Sequence, residues 1–187
     1  MEIYRSDLEN AFNTFLSGDA EERGTRRSIL SSLPLYTITD DLLKTILEKN
    51  HISDADEKKI TKHMKSLKTL TEKILENNTI IDEVPSLSAD EFEKYPMTLS
   101  LSGIFFEKDV FYTYEDYLKH CNLIQTYADN HPNYTVEFSE AHTFRNIQIM
   151  MHEGKWAMVS KGKAPAIHFV IRHPKLCSAI EHFIPLV

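Results

Sequence analysis

The residues best suited to chemistry are concentrated in the twenty positions from Trp156 to Lys175. This segment contains one indole, four cationic side chains and two imidazoles. Histidine exchanges protons near neutral pH, and an arginine can hold a carboxylate or phosphate with two hydrogen bonds. The same twenty residues also alternate between apolar and polar types, as strands with one buried face do. The segment is therefore either a polar site or a β-hairpin, and the elements around it decide which.

A hairpin explains most of this segment. A two-residue turn at Glu153-Gly154 would place Met151 opposite Trp156 and Ile149 opposite Met158. One face would then collect the apolar side chains of Ile147, Ile149, Met151, Trp156 and Met158. In the following strand, alternation turns Ile167, Phe169 and Ile171 toward the core and His168 and Arg172 toward the other, mixed face. Aromatic side chains combined with a few polar groups are typical of small-molecule sites, and several aromatic residues lie between positions 105 and 117. We therefore predict a ligand site formed by His168, Arg172, Trp156 and Tyr117.

His173-Pro174-Lys175 has the His-x-Lys spacing found in phospholipase D-type phosphodiesterases, in which the histidine is a nucleophile and the lysine binds phosphate. The resemblance is limited to these positions. Ile180 stands where an acidic residue is expected, and the chain has no second copy of the motif. Proline at the first position of a helix explains the same residues. We therefore expect no catalytic residues, with a phosphodiesterase-like enzyme as the alternative.

Other functional classes are disfavoured by composition. The net charge is −7 and there are only five glycines, without a phosphate-binding loop or dinucleotide fingerprint. The histidines and the two cysteines lack zinc-site spacing, so we expect no metal and no cofactor. A helix beginning Asp54-Ala-Asp-Glu57 would repel phosphates, which predicts no direct binding of nucleic acid. The chain has no leader-like start and no apolar run near the roughly 18 residues of a membrane span, so we expect a cytoplasmic protein that does not bind membranes.

The helix and strand signals predict an α+β fold, with a helical N-terminal region packed on an antiparallel sheet flanked by helices. Capping and periodicity predict helices near 6–17, 39–50, 53–77, 113–130 and 174–183, and strands near 134–138, 147–152, 155–160 and 166–172. We place the division at residue 95, with a helical region in 1–95 and an α+β sensor-like domain in 96–187. The long helix at 53–77 carries an apolar stripe that predicts a homodimer interface, formed by Ile60, Met64, Leu67, Leu70 and Ile74.

Four segments carry a resemblance to a known class of proteins: 105–124, 131–134, 144–149 and 165–174. They include Phe105-Phe-Glu-Lys-Asp109, His131-Pro-Asn-Tyr134 and Pro165-Ala-Ile-His-Phe169. Residues 100–185 resemble the C-terminal, non-DNA-binding region of bacterial helix-turn-helix transcriptional regulators. The resemblance implies a regulatory domain that binds an effector or a second protomer, with DNA binding on another part of the protein. It carries over no catalytic residue. A purely structural interaction module is a further alternative.

Overall fold

The architecture is a six-stranded mixed sheet with helices on both faces. A computed structural model describes residues 22–101, 108–140, 147–161 and 167–183. The strands are β1 (Gly24–Ile29), β2 (Asn78–Pro85), β3 (Tyr134–Ser139), β4 (Ile147–His152), β5 (Trp156–Lys161) and β6 (Ile167–Ile171). The helices are α1 (Asp40–Lys49), α2 (Asp54–Leu75), α3 (Ala89–Lys94), α4 (Tyr114–Asn130) and α5 (Pro174–Phe183), with a short 3-10 turn at Leu35–Thr37. The α+β class predicted from the sequence is confirmed.

The sheet has a parallel half and an antiparallel half that meet at β1. Its strand order is β3-β2-β1-β4-β5-β6. Strands β1, β2 and β3 run parallel, joined by crossovers that contain α1 and α2 and then α3 and α4. Strands β4, β5 and β6 are antiparallel to their neighbours. The prediction of an antiparallel sheet is therefore correct only for the second half of the strand order.

Two interior strands, β1 and β2, lie in the part of the chain that the sequence pattern predicted to be helical. Strand β1 contains Arg26 and Arg27, and β2 contains Asn78 and Asp82. Asparagine and aspartate are depleted in strands, and two adjacent arginines interrupt the apolar alternation that marks a half-buried strand. The sheet consequently takes strands from both sides of residue 95, and the first 95 residues are not purely helical.

The helix starts follow the capping residues in the sequence. Thr39, Ser53, Ser88 and Thr113 each accept a hydrogen bond from a backbone N–H in the first turn of the following helix. Such caps satisfy N–H groups that have no partner within the helix. The predicted helix at 6–17 lies outside the described residues, as does most of the alternating apolar segment at 98–106.

The β4–β5 turn differs from the predicted hairpin by one residue. Glu153, Gly154 and Lys155 all lie between the strands, and Gly154 has a φ of 72°, which glycine adopts without strain. His152 is therefore paired with Trp156, and Met151 with Ala157. A shift of one residue exchanges the two faces of a strand. The predicted face was wrong, because Trp156 and Met158 lie on the side opposite Ile149 and Met151.

The inner face of the sheet packs against α1, α2 and α4. Ile80, Val84 and Tyr134 from the sheet share one apolar core with these helices. On the outer face α5 packs against β4 and β5, where its Ile180 contacts Ile149, Met151 and Ala157. No described helix is long and apolar enough to cross a bilayer.

The apolar stripe of α2 packs inside its own chain. Ile60 and Met64 are fully buried, Ile74 is buried, and Leu67 and Leu70 are half-buried against the same core. The buried members Ile60, Met64 and Ile74 are inaccessible to a second protomer while α2 lies on the sheet. The stripe is therefore explained by intramolecular packing, and a homodimer formed through these residues stays a prediction that the packing does not support.

Candidate ligand cavity

A small cavity separates α2 from the inner face of the sheet. Its volume is about 110 Å³. The ceiling is apolar and comes from Leu67, Leu70 and Ile74 of α2, whereas the floor includes three polar residues of adjacent strands, Arg26, Ser28 and Asp82. Residues that follow β1 or belong to the 3-10 turn, α2, β2, β4 and β5 complete the lining: Leu30, Tyr36, Thr71, Ile80, Met150, Met151 and Trp156.

Asp82 is the central polar residue of this floor and is only 1% exposed. It faces inward because Ile80 and Val84, two positions before and after it in β2, are also buried. Its Oδ2 accepts a hydrogen bond from the Tyr36 hydroxyl and another from the Tyr134 hydroxyl, the latter at 3.1 Å. Ser28 stands beside it in β1 and hydrogen-bonds the carboxyl as well. Three neutral hydroxyl groups thus surround one carboxyl group.

Burial raises the pKa of Asp82, because removal from water disfavours the charged carboxylate. The hydrogen bonds from Tyr36, Ser28 and Tyr134 lower the pKa and offset only part of this effect. Burial also raises the pKa values of Tyr36 and Tyr134, with a further contribution from the negative charge of Asp82. Both phenols therefore remain protonated at neutral pH and act as hydrogen-bond donors to the carboxyl.

No described lysine, arginine or histidine forms an ion pair with Asp82, and hydroxyl groups account for its hydrogen bonds. Arg26 lines the same cavity, but it has an interaction partner of its own. The backbone of Arg26 lies two residues from that of Ser28, a distance of ~7 Å along an extended strand. Burying a carboxylate without a counterion costs a free energy on the order of several kcal/mol. The part of the floor beside Asp82 is consequently matched to a group that supplies positive charge or further hydrogen-bond donors, whereas Arg26 supplies positive charge elsewhere in the lining.

A second buried polar network lies in α4 and has a different composition. Asp116 is fully buried, and Lys49 donates to both of its oxygens at 2.9 and 2.7 Å. Burial raises the pKa of Asp116, but the hydrogen bonds from Lys49 and Thr113 outweigh it, and the pKa lies below its usual value. Nearby, the His120 ring is hydrogen-bonded to the hydroxyls of Thr37 and Tyr112. Burial lowers the pKa of His120 to about 3, so the imidazole stays neutral.

Of the four residues predicted to bind a ligand, Trp156 is the one placed at this cavity, where it is 4% exposed. Arg172 follows β6 and is exposed. The side chain of His168 is outside the described part of the structure, although its backbone pairs with Ser160. Tyr117 belongs to the α4 core, where its hydroxyl donates to the carbonyl of Pro85 and accepts from the N–H of Leu87. Tyr117 therefore fixes the end of β2 and is remote from the cavity lining.

The predicted packing of β6 is also corrected. Phe169, expected in the core, is 63% exposed. At the start of α5, His173 and Lys175 are exposed, and the His173 carbonyl accepts from the N–H groups of Leu176 and Cys177. The His-x-Lys segment thus forms a helix start. Among the described residues there is no group of three or more His, Cys, Asp or Glu side chains able to hold a metal ion.

Sequence patterns did not identify the residues that form the cavity floor. The available signal was the inward alternation of Ile80, Asp82 and Val84, which places a carboxyl between two core positions. Comparisons with protein-family models, with curated proteins and with solved structures gave no match for this chain. The cavity and its polar network are therefore the basis for any functional assignment.

Proposed function

We propose that this chain is a non-enzymatic regulatory domain that binds a small effector in the cavity between α2 and the inner face of the sheet. The single observation that carries the proposal is a cavity of about 110 Å³ against a fully buried, hydroxyl-bound carboxyl that has no ion-pair partner among the described residues. Small-molecule sites in proteins combine apolar walls with a few polar groups that fix orientation. The apolar ceiling and polar floor have this composition.

A binding role is favoured over catalysis by the location of the reactive groups. The His120 imidazole lies between two hydroxyls, as in a general-base arrangement, but Thr37, Tyr112 and His120 are all buried and do not line the described cavity. A general base acts only within hydrogen-bond reach of its substrate. The Asp82 network consists of a carboxyl and protonated phenols, which are well suited to holding a ligand in one orientation.

The regulatory context is taken from the likeness of residues 100–185 to transcriptional regulators and is part of the proposal. In it, DNA is bound by another part of the protein. The cavity lies between α2 and strands β1, β2, β4 and β5, so a ligand there contacts both halves of the sheet. Effector binding would stabilise the arrangement of α2 on the sheet, which is the kind of differential contact that a population shift requires.

Native mass spectrometry and ligand-induced thermal shifts test the proposal with a matched pair of variants. Leu70→Phe fills the cavity from its ceiling. Leu123→Phe makes the same change at another half-buried leucine, in α4 and away from the cavity. We expect small ligands to bind the wild type and Leu123→Phe and to be excluded by Leu70→Phe. Equal binding by all three proteins would show that the ligand site, and hence the proposed function, is elsewhere.

A further inference from the structure

The chemical class of the ligand can be inferred from the cavity and rests on the proposed function. We propose that the cavity binds a small primary amine, with its ammonium group on Asp82 and its aliphatic part against α2. The ammonium would supply the ion-pair partner that this carboxyl lacks among the described residues. The remainder of the ligand would contact Leu67, Leu70 and Ile74.

The geometry at Asp82 leaves the ligand a defined hydrogen-bonding role. Tyr36 and Tyr134 both donate to Oδ2, so each phenol oxygen retains lone pairs that can accept. An ammonium group has three donors and no acceptor. It can therefore donate to the carboxylate and to a phenol oxygen together. A carboxylate or phosphate ligand would be repelled by Asp82 and would compete with it for the same hydroxyl donors.

Cavity size sets the upper limit for this ligand. An apolar cavity of ~150 Å³ accommodates a molecule the size of benzene, with six non-hydrogen atoms. The present cavity of about 110 Å³ therefore accommodates a molecule of roughly four or five non-hydrogen atoms. The apolar ceiling favours an alkylammonium over a hydrated inorganic cation, because the ceiling offers no oxygen ligands to replace water.

Three probes of nearly equal size separate charge from shape: n-propylammonium, 1-propanol and propionate. Binding is followed by NMR of methyl-labelled methionines in the folded chain, which contains six methionines. Met150 lines the cavity and should respond, whereas Met97, which is buried but does not line the cavity, serves as the internal control. We expect n-propylammonium to bind about tenfold more tightly than 1-propanol, as one charge-assisted hydrogen bond would provide. Propionate should bind most weakly.

Asp82→Asn then tests whether the ammonium group of the ligand binds the Asp82 carboxylate. This variant should bind n-propylammonium and 1-propanol with similar affinity, and its thermal transition establishes that it is folded. If the wild type binds 1-propanol or propionate as tightly as n-propylammonium or more tightly, the amine assignment is overturned. If the Met150 response to that probe is also lost in Leu70→Phe, the cavity remains a ligand site. If none of the probes shifts Met150, both the amine assignment and the proposed function are rejected.

Discussion

Two buried carboxyl groups, Asp82 and Asp116, are equally inaccessible to water but have different partners. Asp116 is bound by Lys49 and Thr113 at the start of α4, and its pKa is lowered. Asp82 is bound by three hydroxyls beside a cavity, and its pKa is raised. The lowered pKa of Asp116 means that its ionised form stabilises the fold, whereas the raised pKa of Asp82 means that its ionised form reduces stability. The difference separates a structural ion pair from a candidate binding site.

The largest expected effect comes from adding negative charge above Asp82. Leu67→Glu combined with Leu70→Glu places two carboxylates at the ceiling of the cavity, opposite a carboxyl that already lacks a counterion. We expect a loss of about 4 kcal/mol or complete unfolding, because apolar contacts are replaced by partly buried like charges. Urea unfolding measures the loss, and Thr69→Glu on the exposed side of α2 is the control. A folded variant of unchanged stability would show that α2 does not pack on the sheet.

Neutralising each carboxyl compares the two networks directly. Asp116→Asn should cost about 2 kcal/mol, because it breaks a charge-assisted network at a fully buried position. The loss is below that of a fully buried ion pair, since the Lys49 side chain is 41% exposed and can return to water. Asp82→Asn should change stability by less than about 1 kcal/mol, because relief of an uncompensated charge offsets the weaker hydrogen bonds. A larger loss at Asp82 than at Asp116 would reverse the structural and functional assignments.

The two networks should also respond to pH with opposite signs. The usual Asp pKa is 3.8, and that of Asp116 is lower in the folded chain, so its stabilisation is present above pH 3.8 and is lost as the pH falls through the folded pKa. The pKa of folded Asp82 is higher than 3.8, so its ionisation reduces stability as the pH rises from 3.8 through the folded pKa.

Unfolding of wild type and both Asn variants between about pH 3 and pH 7 tests these signs. The deficit of Asp116→Asn should shrink as the pH falls below 3.8. Asp82→Asn should gain stability relative to wild type as the pH rises above 3.8. Parallel pH profiles for the two variants would contradict the contrast between the networks.

The smallest effects are expected at the exposed polar residues after β6. Arg172→Ala and His173→Ala should each change stability by less than about 0.5 kcal/mol, as is usual for exposed positions. Neither should change the affinity of the cavity for its ligand, and phosphodiester substrates should not be hydrolysed by the wild type. Phosphodiester hydrolysis that is lost in a folded His173→Ala variant would restore the enzyme alternative.

Local signals were sufficient to predict most helices and the last four strands. The caps at Thr39, Ser53 and Thr113 and the proline at 174 are read directly from neighbouring residues. Strands β1 and β2 were missed because the polar side chains of Arg26 and Asp82 interrupt the apolar alternation. The polar residues that form the candidate site are therefore also the reason why its strands were not predicted.

The faces of β4 and β5 depended on a single residue of the turn. Glu153-Gly154 was predicted as a two-residue turn, but Lys155 also belongs to the connection. Trp156 consequently faces the cavity instead of the surface below α5, a consequence of tertiary packing that no local pattern specifies.

The position of β1 in the middle of the sheet also constrains the order of folding. Its parallel partner, β2, follows about fifty residues later, whereas its antiparallel pair Arg26–His152 joins positions 126 residues apart. During synthesis, the edge of β1 that will receive β4 stays open while most of the chain is made. Long-range pairing of this kind slows folding and exposes an edge to other chains. The adjacent charges of Arg26 and Arg27 would discourage such pairing, as charged residues do on open strand edges.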